Sequence, residues 1–274
     1  MSTELAENVS PCPLCRERAA HLWRKVETFL LVRCTTCSLV YLGNPPDERA
    51  LYEEYYSGQE PALADYRPDS GNSALAELAA INQQRIRIIR KMKPSGRLLD
   101  VGCGRGFFLT TAESVGYRAS GIDVSERAVA YASSIVHAEA STGSLQTLVT
   151  EGEQFEIITA WHVLEHFPDP LGELNRIRSL LSPGGLLFVE VPNLRSLRFM
   201  LAREKWRGGD HPRYHRTFFT AHTLRLMLEK ARFKNVRRLP LSYSLPARSP
   251  LYTLAKRVSN AFAADAFVDF VAEK

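Results

Sequence analysis

Between Ala74 and Met92 apolar residues recur at helical spacing (Leu75, Leu78, Ile81, Ile89, Met92), and Pro94 with Gly96 ends the helix this predicts. Beyond Gly96 the rhythm changes. Short apolar runs at Leu98–Val101, Ala119–Ile122, Phe155–Ala160 and Leu186–Val191 predict buried strands. Helical stretches separate them, from Phe107 to Val115, after a capping Ser125, and from Asp169-Pro170 to Leu181. Strands alternating with helices at this pace imply an α/β fold with a doubly wound, mostly parallel sheet. Upstream, Phe29–Arg33 and Leu39–Leu42 read as short strands, Asn44-Pro45-Pro46 breaks the chain, and Asp47 to Tyr56 reads as a short helix rich in tyrosine. Near the other end, Ser249 to Phe262 has the pattern of an amphipathic helix.

The strand-like runs upstream frame four cysteines. Cys12 and Cys15, then Cys34 and Cys37, form two CxxC pairs with 18 residues between them. Two thiolates on one tight turn can share a tetrahedral ion, and four close a structural zinc shell with no position left for chemistry. The polar start MSTELAENVS has no basic, apolar and small-residue succession of a secretory leader, so a reducing, cytoplasmic setting is expected, which favours metal over disulfide. Cys103 has no partner in sequence and reads as a small residue in a tight turn rather than a nucleophile.

Length and charge add bounds. A chain of 274 residues holds one large α/β core and an appendage. No apolar run approaches the roughly 18 residues that span a bilayer. Net charge is +5, with basic residues crowded between Arg195 and Arg238, which suits either an anionic partner or an ordinary solvated face.

In such a sheet the ligand lies beyond the carboxyl ends of the strands where strand order reverses. Gly102, Gly104 and Gly106 follow the strand that ends at Val101, so the backbone there can turn sharply and come close to a ligand. Asp123, 23 residues after Asp100, ends the next strand, where a carboxylate can accept both hydroxyls of a ribose. The spacing is G-x-G-x-G, not the G-x-G-x-x-G that seats a dinucleotide pyrophosphate.

The runs DVGCGRG and GIDVS resemble the motifs of class I S-adenosylmethionine-dependent methyltransferases. The resemblance extends to FEIITAWHVLEHFPDP (155–170) and LSPGGLLFVEVPN (181–193), similar to that family's fourth and fifth strands. The cysteine pairs followed by CSLVYLGNPP resemble a subgroup with an N-terminal zinc ribbon that methylates sugars, polysaccharide precursors or other small metabolites. It implies a zinc ribbon over residues 1–43, a linker with the tyrosine-rich helix over 44–72, a methyltransferase domain over 73–248, and a C-terminal helix with a last strand near Phe267 to Ala272 within 249–274. It implies S-adenosylmethionine and structural zinc as cofactors, with Asp100, Gly102, Gly104, Gly106, Asp123, Ser144 and Trp161 at the first and Cys12, Cys15, Cys34 and Cys37 at the second. A segment resembling Trp206 to Phe219 covers the acceptor pocket in that subgroup. One departure is Gly143-Ser144-Leu145, where many relatives place an acid near the adenine, so a hydroxyl or backbone group must serve.

Methyl transfer needs an acceptor aligned with the methyl donor, water excluded, and a base if the acceptor is a hydroxyl. His162, two residues past the fourth strand, and His215, in the covering segment, are the expected catalytic residues. His162 and His166 are spaced like an i, i+4 metal pair, but the order is not H-E-x-x-H and no third ligand is evident in sequence. A small-molecule acceptor is therefore expected. An RNA methyltransferase using the ribbon and basic stretch is an alternative, against which AWHVLEH lacks the N/D-P-P-Y/F sequence of enzymes that methylate exocyclic base nitrogens. A non-catalytic cofactor-binding module is the other.

Overall fold

The computed structural model describes residues 9–46, 73–196, 212–239 and 267–274. The expected helices over 47–56 and 249–262, and Trp206 to His211, lie outside them.

The N-terminal part is a small antiparallel sheet of β1 (Ala20–Val26), β2 (Phe29–Cys34) and β3 (Val40–Leu42). β1 leaves no periodic apolar trace because most of its side chains are exposed or half-buried. The rest follows as α1 (Ser73–Met92), β4 (Arg97–Val101), α2 (Phe107–Ser114), β5 (Arg118–Asp123), α3 (Glu126–Ile135), β6 (Glu139–Thr142), α4 (Leu145–Glu151), β7 (Phe155–Trp161), a 3₁₀ turn (Leu164–His166), α5 (Pro170–Leu180) and β8 (Leu181–Pro192). After them come β9 (Thr217–Phe218), α6 (Ala221–Lys230), β10 (Lys234–Arg238) and β11 (Phe267–Glu273).

Seven strands form the main sheet in the order β10-β11-β8-β7-β4-β5-β6. β4 to β8 are parallel to one another, and β11 runs antiparallel between β8 and β10. The expected α/β architecture with a mostly parallel sheet is therefore what the chain adopts. Successive residues of a strand face opposite sides, so Leu98, Ile157 and Phe188 meet α1 and α2 on one face, while Leu99, Ile158 and Leu187 meet α5 and α6 on the other. The sequence places a turn at Ser182–Gly185 before a strand from Leu186. In the structure the strand already starts at Leu181, and residues 182–185 bulge, Phe155 pairing with Leu181 and Ile157 with Leu186.

The cysteine-bearing part is not a separate bead. Val9, Cys12, Leu14, Val32, Cys34, Leu39 and Tyr41 share one apolar cluster with Leu174, Phe219 and Leu224. β9 completes its sheet by pairing Val40 with Phe218 and Tyr41 with Thr217. Arg16 also reaches across to Asp169, the N-cap of α5, at 2.6 Å.

Candidate active site

Strand order reverses between β4 and β7: the chain runs from β4 outward through β5 to β6, then returns to β7 and β8 on the other side. A crevice at the carboxyl ends of the strands is expected there. The turn after β4 fills it with left-handed backbone at Gly102, Gly104 and Gly106. A Cβ on Gly102 would stand 2.7 Å from Val163, so the loop lies tight against the segment after β7. At Gly104 a Cβ would meet nothing within 4 Å, so this backbone faces open space.

Asp123 braces that turn. Its Oδ2 accepts from the Gly104 N–H at 2.8 Å and its Oδ1 from the Ser125 N–H at 2.9 Å, leaving each oxygen a second lone pair for a ligand hydroxyl. The Gly143 N–H donates to the Asp123 carbonyl at 3.0 Å, which sets the exposed Ser144 beside the same turn. Asp100 is buried behind the loop, where Thr159 Oγ1 donates to it at 2.6 Å. Burial raises the Asp100 carboxyl to about 7, against the Thr159 hydrogen bond and the Arg85 charge, with a further push from Asp123. Trp161 ends β7 against Phe108 and under the Arg85 guanidinium, and its buried Nε1 has no acceptor among the described residues. Left-handed backbone facing open space, a carboxylate with spare lone pairs and an unpartnered indole N–H fit a nucleoside ligand. Cys103 is buried beneath the loop, with its thiol pushed up by burial and by the Asp100 and Asp123 charges, which suits a filler and not a nucleophile.

His162 follows β7 in a left-handed conformation, φ 56°, unusual for a histidine. Its N–H donates to the Glu190 carbonyl at 2.9 Å, its Nε2 lies 2.7 Å from Glu190 Oε1, and its Nδ1 lies 3.7 Å from Glu165 Oε1. The ring rests edge-on against Phe267, and 34% of the side chain is exposed. Burial opposes a charge there, but the Glu190 charge, the close contact with Glu190 and the nearby Glu165 carboxylate together push the ring up to about 9. At neutral pH His162 is therefore a proton-bearing member of a carboxylate cluster, whereas an unperturbed histidine would be mostly neutral.

The cluster contains groups that sequence reasoning passed over. Glu190, fully buried on β8, also binds Arg85 of α1. Burial would raise the Glu190 carboxyl, but the charges of Arg85 and His162 and hydrogen bonds with His162 and Asp269 hold it well below the usual carboxylate range. Asp269 stands opposite Glu190 in the β8–β11 register. Burial and the Glu190 charge push it far above the usual range, which favours its neutral form. His215 is 5% exposed, its ring against those of His166 and Phe218, and burial pushes it down to about 4. The described part of the expected covering segment does not lie apart from the cysteines but supplies β9 to their sheet.

The four cysteine sulfurs lie within 4.8 Å of one another, with Cys12–Cys37 at 3.5 Å and Cys15–Cys34 at 3.4 Å. A tetrahedral ion with zinc–sulfur bonds of about 2.3 Å requires sulfurs about 3.8 Å apart, so the donor set fits zinc, while a disulfide needs about 2.05 Å. The two knuckles share one backbone design. The residue after each second cysteine, Arg16 or Ser38, is left-handed and donates its N–H to the carbonyl of Cys12 or Cys34.

Comparison with known proteins agrees with this geometry. Ubiquinone biosynthesis O-methyltransferase of Thiobacillus denitrificans is 32% identical over 141 residues, 48% of this chain and 60% of that protein. The protein of the same name from Xanthomonas campestris pv. campestris is 34% identical over 133 residues, 46% of this chain and 56% of that protein. The chain thus spans little more than half the length of these curated relatives. Among solved structures, a SAM-dependent methyltransferase from Archaeoglobus fulgidus matches with a TM-score of 0.54 at 20% identity, covering 83% of this chain and all of that one. The 1,6-didemethyltoxoflavin-N1-methyltransferase of Burkholderia thailandensis, solved with S-adenosylhomocysteine, matches with a TM-score of 0.54 at 17% identity, covering 93% and 99%. These likenesses carry the fold. Residues 73–238, more than half of the chain, match the methyltransferase domain family, and the chain belongs to that family.

Proposed function

We propose that this protein transfers a methyl group from S-adenosylmethionine to a hydroxyl of a small-molecule acceptor, a sugar, polysaccharide precursor or related metabolite. The observation that carries this reading is the left-handed glycine turn at the switch point, facing open space and tied to Asp123. The curated relatives, whose name specifies an oxygen acceptor, support the hydroxyl. No helix among the described residues is long and apolar enough to cross a membrane.

When bound, S-adenosylmethionine supplies a methyl group already activated on a sulfonium. Asp123 accepts the ribose hydroxyls, the glycine turn admits the amino acid end, Ser144 and Trp161 line the base and methyl sides, and Asp100 lies near the ligand's ammonium group. His162 handles the acceptor's proton. Glu190 occupies its Nε2 and fixes the ring, so the acceptor's proton goes to Nδ1, which lies 3.7 Å from Glu165 Oε1. A base of raised pKa is strong once it has given up its own proton, at the cost of being protonated in most molecules at neutral pH. His215, buried and neutral, offers an acceptor little access. Cys12, Cys15, Cys34 and Cys37 hold one structural zinc.

The test is to incubate the protein with methyl-labelled cofactor and separate pools of nucleotide-sugars, phenolic metabolites and RNA. Label is expected in a small-molecule pool; label in RNA alone, or in none, would overturn the proposal. Asp123→Ala is expected to weaken cofactor binding by about 1.5 to 3 kcal/mol through loss of a charged acceptor. His162→Ala is expected to lower turnover by roughly 10² with little change in cofactor affinity.

Cofactor affinity is also expected to depend on pH through Asp100. Thr159 from β7, Arg85 from α1 and Asp123 from β5 face this carboxyl, which titrates at about 7 in the free protein. A ligand ammonium nearby favours the ionised form and lowers that value in the complex. Affinity is therefore full above pH 7 and falls below it, by up to about tenfold per pH unit, with a proton released on binding near neutrality. Calorimetry in buffers of different ionisation enthalpy measures this. Pure pH independence between 6 and 8 would show that the ammonium lies elsewhere.

A further inference from the structure

Beside His162 lies a second group of donors that the methyl-transfer reading leaves idle. Glu165 is 1% exposed, and neither of its oxygens has a hydrogen-bond partner within normal distance, His162 Nδ1 standing 3.7 Å from Oε1. A buried carboxylate in that condition is costly unless a cation completes it. His166, next along the 3₁₀ turn, has Nδ1 at 2.8 Å from the Tyr214 carbonyl. A carbonyl can only accept, so Nδ1 carries the hydrogen and Nε2 keeps its lone pair, the arrangement by which metal-binding histidines are oriented. His215 is buried beside it, the two ring centroids 4.7 Å apart. One ligand atom from each of the three residues lies within 4.8 Å of the other two.

We propose that Glu165, His166 and His215 bind one divalent transition-metal cation, separate from the cysteine ion, and, resting on the methyl-transfer reading above, that this cation holds the acceptor's oxygen. Two imidazole nitrogens and one carboxylate suit zinc, manganese, iron(II) or cobalt(II), and three protein ligands leave coordination positions for an exogenous oxygen. The sequence shows only His162 and His166 as a pair without a third ligand. The structure supplies that ligand from 49 residues further along, because β9 ties the chain at 217–218 to β3 and the Arg216 N–H donates to the Glu165 carbonyl at 2.9 Å. Glu165 also faces His162, which puts the cation at the acceptor end of the crevice.

Cobalt(II) titration of the metal-free full chain tests this without cofactor or acceptor. The cysteine site gives intense sulfur-to-cobalt charge-transfer absorption. Once that saturates, a second equivalent is expected to bind and add weaker ligand-field bands with no further sulfur absorption. Glu165→Gln and His166→Gln should each lose the second equivalent and keep the first, whose sulfur bands also report that the chain is folded. A single equivalent in the wild-type protein at saturating cobalt, or a second that survives both substitutions, would overturn the site. Adding the methylated acceptor's precursor is expected to shift the ligand-field bands, and unchanged bands would overturn the oxygen-holding role. A protein that binds two equivalents but transfers no methyl group would overturn the functional reading alone; one that transfers methyl and binds a single equivalent would overturn only the second metal.

Discussion

Cys34→Ser is expected to unfold residues 9–46 while the seven-stranded sheet survives. A four-sulfur site contributes on the order of 10 kcal/mol to the folding of a small ribbon, more than its few apolar side chains can replace. No β1 side chain is fully buried, and apart from the cysteines the ribbon's buried apolar residues are Val9, Leu14, Leu31, Val32, Leu39, Val40, Tyr41 and Leu42. The ribbon shares the apolar cluster on one face of the main sheet, but the cluster on the other face, with Ile86, Ile89, Leu98, Ile157 and Phe188, contains no ribbon residue. The effect should nevertheless reach the crevice. β3 holds Thr217 and Phe218, and the Leu42 N–H donates to the Arg216 carbonyl at 2.9 Å, so loss of the ribbon frees the strand that carries His215 toward Glu165. Hydrogen exchange read by mass spectrometry measures this: amides of 29–42 and 215–219 should lose protection together while those of β4, β7 and β8 keep theirs. Full protection of 29–42 in the variant would mean that the cysteines are not metal-bound in a way that matters to folding.

The parts of this molecule that local pattern dictates are the parts the sequence discloses. Buried central strands are apolar runs because both faces are covered, and Ser125 and Asp169 announce their helices because a cap is a local device. The cysteine knuckles and glycine turn are legible for the same reason, since each is built from neighbours in sequence. β9 is not, because two residues cannot show a period and its partners lie 176 and 178 residues away. Arg85 was legible in principle. It falls on the α1 stripe seven residues from both Leu78 and Met92, so an apolar reading of that stripe should have asked what balances a buried cation. Glu190 and Asp269 give the complementary signal, each a lone acid in the middle of an apolar strand (FVEVP and FVDFV). What no pattern could show is that Arg85 and Asp269 meet Glu190, and Glu190 meets His162, because helix and strand positions far apart in sequence converge only through the sheet order.

Breaking that convergence at its centre should be the costliest point substitution in the main domain. Glu190→Gln removes an anion bound to both Arg85 and His162, taking a balancing charge from a guanidinium that is 6% exposed. Removing one member of a buried ion pair typically costs about 3 to 5 kcal/mol, most of it the penalty of the charge left behind. Asp269→Asn makes the opposite forecast, although it deletes a carboxyl equally buried and directly opposite in register. Asp269 is held neutral by burial and by the Glu190 charge, so an amide replaces one uncharged hydrogen-bond donor with another and should cost about 1 kcal/mol or less. Denaturant unfolding at neutral pH compares the two variants directly. If Asp269→Asn proved as damaging as Glu190→Gln, Asp269 would have to be ionised, a second buried anion directly opposite Glu190.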